Sequence, residues 1–166
     1  MKIELKKISF NERMSEETNC FVADLYINGK KVGYCKNDGR GGCTDYNSYN
    51  PEDRKVIADA EVYCKALPQT EWKDMKFDQS LESVIDQLLE DWFKERGKKK
   101  IEKQMQTAIL FGVPDGDMYV KLMFKRPLST MPLTFLQAKV NEIIKTDCKD
   151  GVVILNTNLE KLGVKI

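Results

Sequence analysis

Residues 21–36, FVADLYINGKKVGYCK, constrain the opening of the fold more tightly than any other stretch. Phe21, Ala23, Leu25 and Ile27 alternate with Val22, Asp24, Tyr26 and Asn28. A period of two puts the apolar side chains on one face of a strand. Asn28-Gly29 follows at once. A type I′ turn needs positive φ at both central residues, and Asn-Gly meets that demand at low cost. The return strand is expected to carry Val32, Tyr34 and Lys36 on one side and Gly33 and Cys35 on the other. Upstream, Ile3 and Leu5 alternate with charged residues, and Ile8 and Phe10 resume after a slip of one. That pattern predicts a first strand with a bulge. Residues 11–19 are a polar connection, so the chain opens as a three-stranded antiparallel sheet.

Helical spacing takes over after residue 50. Asn50 is the expected N-cap, Pro51 the first helical residue, and Glu52 and Asp53 suit the positive end of the dipole. Val56, Ile57, Ala60, Tyr63, Cys64 and Leu67 form the apolar face, and Pro68 ends the helix. Residues 68–80 read as a linker. Leu81, Val84, Ile85, Leu88, Leu89 and Trp92 form a second amphipathic stripe, with Gly97 as a candidate stop and Lys98 to Gln106 as a candidate extension. A hairpin is expected from Ala108 to Val113 and Met118 to Lys125, turning at Pro114-Asp115-Gly116-Asp117. Leu133, Leu136, Val140, Ile143 and Ile144 mark a third helix. Val152 to Leu155 is a short apolar strand, and the tail holds one helical turn. The expected class is α+β: an antiparallel or mixed sheet from two hairpin-plus-helix halves, with helices on one face. Residues 1–166 read as one domain, with 68–78 as the place for any subdivision.

Composition removes several function classes. The 27 Lys+Arg and 26 Asp+Glu nearly cancel, giving +1, so this is no wholesale polybasic nucleic-acid binder. Histidine is absent, and with it the Ser-His-Asp triad, the Cys-His dyad and histidine ligation of zinc. Cys20, Cys35, Cys43, Cys64 and Cys148 are irregularly spaced without a CxxC pair. Neither a disulfide framework nor a metal site is expected from them, and no cofactor is expected. No stretch is long and apolar enough for a membrane span or a secretory leader, so a cytoplasmic location and no membrane partner are expected.

Two segments stand out as candidate contacts. Residues 37–50, NDGRGGCTDYNSYN, are long for a strand-to-helix connection. Gly39, Gly41 and Gly42 would allow close backbone approach, Arg40 carries a forked donor, and Tyr46 and Tyr49 offer rigid contact area. The segment matches neither GxxxxGK[ST] nor GxGxxG, and Glu52 and Asp53 would repel a phosphate at the next helix. The second segment, KERGKKKIEK, holds Lys94, Arg96, Lys98, Lys99, Lys100 and Lys103. It could meet a nucleic-acid backbone or an acidic partner, or simply be a solvated helix end. Metal-dependent hydrolysis needs an Asp followed by Glu-x-Lys on a strand. Glu71-Trp72-Lys73 has the spacing but lies in the linker, Glu4-Leu5-Lys6 lacks an upstream acid, and Asp115 and Asp117 suit a turn. Cys43 is the sole candidate thiol nucleophile and has no base beside it.

The block from Ile8 to Asn47 resembles the N-terminal part of small uncharacterised proteins carried by bacteriophages and bacterial mobile elements. That block is about a quarter of the chain, and the likeness is carried at Phe21 to Tyr46 by the Asn-Gly hairpin and the glycine-rich segment. It implies a class: stoichiometric inhibitors of host defence, anti-CRISPR proteins among them. The expectation is a non-catalytic binding protein that occupies a surface on a nucleic-acid-handling or defence complex. A protein partner leads, with a nucleotide, a nucleic acid and a metal-dependent hydrolase as alternatives.

Overall fold

The computed structural model describes residues 1–73, 75–114, 116 and 118–166, with Trp72 described by its backbone. β1 (Ile3–Phe10) pairs with β2 (Phe21–Ile27), β2 with β3 (Lys30–Asn37), and β3 with β4 (Asp45–Ser48), all antiparallel. The result is a four-stranded sheet in chain order. The expected slip in β1 lies between Lys6 and Ser9, where Lys7 takes φ +52°. A second irregularity, opposite Leu25 and Tyr26, inserts one residue into β3. It turns Val32 inward, where it is fully buried, while Tyr34 stays outside. The expectation that Val32 and Tyr34 share a side is corrected, because a bulge exchanges the faces.

β4 departs from the loop expected over 37–50. Its sequence, Asp-Tyr-Asn-Ser, has little strand character, yet it pairs with β3. A Cβ at Gly33 would sit 2.1 Å from the Asn47 carbonyl oxygen, so the missing side chain lets the two backbones close up.

The inward residues Phe21, Ala23, Leu25, Ile27, Val32 and Cys35 share one core with α1 (Asp53–Lys65) and the first half of α2 (Leu81–Met105). The helices contribute Ile57, Ala60, Cys64, Leu81, Ile85 and Leu89. The Asn50 cap is corrected. Its carbonyl accepts the Asp53 N–H at 3.1 Å, but its side chain donates to the Asp53 carboxylate at 3.3 Å and caps nothing. Asp53 is 2% exposed and instead receives Lys30 Nζ at 2.6 Å, tying β3 to α1. The expected linker at 68–80 contains a small hairpin, β5 (Thr70–Trp72) with β6 (Met75–Phe77).

Gly97 does not stop α2, which runs to Met105. A mid-helix glycine costs about 1 kcal/mol against alanine. Lys94–Glu90 and Lys99–Glu95 pairs at i,i+4 on either side offset part of that. The chain forms two compact units, Met1–Lys94 and Glu95–Ile166, so their boundary falls within α2 and residues 68–78 belong to the first unit.

In the second unit, β7 (Ala108–Gly112) pairs antiparallel with β8 (Tyr119–Met123) and with β9 (Val153–Ile154). β7 is buried along its whole length. Ile109 and Phe111 pack with Leu136, Val140 and Ile143 of α3 (Leu133–Thr146), and Ala108 and Leu110 pack with Met105. The turn acids Asp115 and Asp117 lie outside the described residues. Among the described residues the fold is α+β, with three helices and nine strands and every sheet antiparallel. No helix there is long and apolar enough to cross a membrane.

Candidate functional site

The glycine-rich segment after β3 is a laced structure. Asn37 organises it: its Oδ1 accepts the Thr18 hydroxyl at 2.7 Å and the Gly39 N–H at 2.8 Å, and its Nδ2 donates to the Gly42 carbonyl at 2.8 Å. The Gly39 carbonyl accepts the N–H groups of Glu16, Glu17 and Thr18 at 2.9, 3.0 and 3.3 Å. Gly39 has φ +85°, and a Cβ there would meet the Met14 carbonyl oxygen at 2.1 Å. Only glycine satisfies both conditions. Downstream, Thr44 is buried and donates twice to α2: its N–H to Glu82 at 2.9 Å and its hydroxyl to Asp86 at 2.7 Å. The loop is therefore held at both ends and from behind, while Arg40, Gly41, Gly42 and Cys43 remain exposed at its tip. Arg40 makes no hydrogen bond or ion pair among the described residues.

Between this loop, residues 17–21 and α2 lies a cleft of about 320 Å³, lined in part by Glu17, Glu82, Asp86 and Glu90. Partial burial raises the Asp86 carboxyl above its ordinary value, with Glu82 adding to the shift and the Thr44 hydroxyl opposing it. A wall of carboxylates repels a phosphate and suits a basic group. The glycine-loop cleft is thus poorly matched to a nucleotide.

The two tyrosines of the segment part company. Tyr46 turns inward against the core and donates its hydroxyl to Glu61 of α1 at 2.8 Å. Burial, helped by Glu61, pushes its phenol up to about 12. Tyr49 lies on the outer side of the sheet, 48% exposed, and donates to Asp24 at 2.9 Å. The structure does not bring these two rings to one surface, since residues three apart along an extended chain face opposite ways.

The basic segment lies in the second half of α2. Lys98, Lys99, Lys100 and Lys103 are exposed, as is Arg96. Lys99 pairs with Glu95 at 3.4 Å, whereas Lys98, Lys100 and Lys103 have no ion-pair partner among the described residues. Arg96, Lys99, Lys100 and Lys103 fall on one helical stripe, and Lys98 points away from it.

The other sequence candidates have structural uses. Glu71 pairs with Lys76 at 3.1 Å in the β5–β6 hairpin, and Glu4 pairs with Lys2 at 3.0 Å. Among the described residues no group of three or more cysteines and carboxylates is placed to hold a metal ion. Thr44, Glu82 and Asp86 escaped the sequence reading. The i, i+4, i+8 spacing of Glu82, Asp86 and Glu90 was a legible signal of an acidic helix face, but not of what would lie against it. Comparison with protein-family models, curated proteins and solved structures gives no match for this chain.

Proposed function

We propose that this chain is a non-catalytic binding protein, an inhibitor of the bacteriophage or mobile-element type, which acts by covering a surface on a protein that handles nucleic acid or serves defence. One observation carries the reading: the 38–44 loop is locked by Asn37, Thr18 and the Thr44–α2 contacts, yet its Arg40 tip is free and exposed. A loop already ordered before binding loses little entropy when it docks, and a free arginine is a frequent energetic anchor. The basic stripe of α2 is a second candidate contact for an acidic partner.

Affinity capture from the source cell, run in parallel with wild type, Arg40→Ala and the Lys100→Glu/Lys103→Glu pair, tests the reading. A partner retained by wild type and depleted about tenfold by Arg40→Ala, at unchanged melting temperature, is the expected result. A partner held equally by all three proteins overturns the assignment of the surface.

A further inference from the structure

The helices of the first unit pack on the inward residues of the β1–β4 sheet, and the opposite face is a lattice of tyrosines and lysines. Register places Glu4 and Lys6 of β1, Val22, Asp24 and Tyr26 of β2, Lys31, Tyr34 and Lys36 of β3, and Asp45 and Asn47 of β4 on this outer side. Tyr49 folds over it from the end of β4, and Lys7 reaches it from the bulge. Val22 is 52% exposed and Tyr49 48%, so the face is open.

The side chains are arranged. Lys6 Nζ stands 4.2 Å above the Tyr26 ring, and Lys31 Nζ stands 4.5 Å above Tyr49. Tyr34 and Tyr49 rings lie 5.7 Å apart. Beneath them Asp24 is 9% exposed; its Oδ1 accepts Tyr49 Oη at 2.9 Å and Lys31 Nζ at 2.8 Å. That carboxylate lies under the groups it positions and offsets Lys31, which leaves Lys2, Lys6, Lys7 and Lys36 against Glu4 and Asp45. The accessible charge is positive although the whole chain is nearly neutral.

We infer that this outer sheet face binds a single-stranded nucleic acid, its lysines tracking the phosphates and Tyr26, Tyr34 and Tyr49 supplying platforms for unstacked bases. Phosphate needs cations spread along a track, and bases need flat rings between them; this face interleaves both on a rigid sheet. A duplex hides its base faces and offers the tyrosines nothing. An acidic protein segment would use the lysines and leave the rings idle. The inference does not rest on the glycine loop or on the basic stripe of α2.

The test is fluorescence anisotropy of the full chain with labelled oligo-dT and oligo-U of about 15 nucleotides, beside a duplex of equal length. Both single strands should bind better than the duplex, with affinity falling steeply from about 50 mM to about 200 mM salt. Tyr34→Ala with Tyr26→Ala should weaken binding about tenfold or more, and Tyr34→Phe with Tyr26→Phe, which keeps the rings, should bind like wild type. Lys6→Gln with Lys36→Gln should reduce the salt slope by about 1.4, at about 0.7 per lost contact. No binding at low salt overturns the inference. So does equal affinity for duplex, equal displacement by polyglutamate of matched charge, or loss of binding in Lys100→Glu/Lys103→Glu with none in the tyrosine and lysine variants.

Discussion

The Thr44 hydroxyl donates to the Asp86 carboxylate at 2.7 Å while the Thr44 N–H donates to Glu82 at 2.9 Å. One loop residue is thus gripped by two carboxylates a helical turn apart, and this contact converts a glycine-rich segment into a fixed surface. It also puts two like charges close together at a partly desolvated position.

That proximity sets a pH dependence. Burial, with Glu82 behind it, raises the folded Asp86 carboxyl above 3.8. Between 3.8 and the folded value the native protein holds a proton that the unfolded chain has released. Stability from this group is therefore greatest below 3.8 and declines as the pH rises through that window. Asp86→Asn keeps an acceptor for Thr44 and removes the charge. It should raise Tm at neutral pH and bring no gain in acid, as measured by thermal melts.

Asp53 has the opposite sign. The Lys30 ammonium, hydrogen-bonded to it, holds its carboxyl below the ordinary 3.8, and Asn50 assists. Its stabilisation is full above 3.8 and is lost as the pH falls through the lower folded value. Lys30→Met leaves that buried carboxylate without its cation. The variant should melt lower than wild type at neutral pH, and the gap should narrow as the pH falls through the lower folded value of Asp53. A constant gap across the acid range would show that Lys30 acts through packing alone.

Two glycines of one loop should respond differently. Gly39→Ala places a methyl against the Met14 carbonyl at a positive φ, whereas Gly42→Ala meets nothing within 4 Å. Gly39→Ala should cost about 1–3 kcal/mol in urea unfolding and abolish capture of a loop-dependent partner. Gly42→Ala should stay within about 0.5 kcal/mol of wild type.

In the second unit the corresponding device is Asn156, which accepts the Leu110 N–H at 2.6 Å and donates to the Ala108 carbonyl at 3.0 Å. It is 4% exposed and ties the tail to the buried strand β7. Asn156→Ala strands two backbone groups and should cost about 3 kcal/mol. Hydrogen exchange should show the Leu110 amide losing protection first.

How far each element was legible follows from where its partner lies in the chain. The bulge in β1, the Asn-Gly turn and the stripe Leu81–Trp92 are written in spacing between near neighbours, and all three stand in the structure. β4 is not: Asp45–Ser48 is a strand because Gly33, a dozen or more residues earlier, leaves room for it. Missing β4 meant missing that Tyr46 faces in and Tyr49 faces out, so two residues read as one contact pair are a core support and a surface ring. Gly97 left two ends open for α2, a stop there or an extension toward Gln106, and the structure takes the extension to Met105: a local cost of about 1 kcal/mol is too small to end a helix whose neighbours are strong helix formers.

The order of residues alone settled the class of fold, the first hairpin and the apolar faces of α1 and the first half of α2, because periodic burial and turn chemistry act over a few residues; in α3 it picked out Leu136, Val140 and Ile143 but also Leu133 and Ile144, which are exposed. Tertiary structure decided whether the glycines after Asn37 form a slack connection or a locked loop. It also decided which tyrosines reach solvent and that the uncovered sheet face gathers lysines from β1 and β3. Those outcomes depend on groups such as Thr44 and Asp86, 42 positions apart, whose meeting costs chain entropy that only the assembled core can offset.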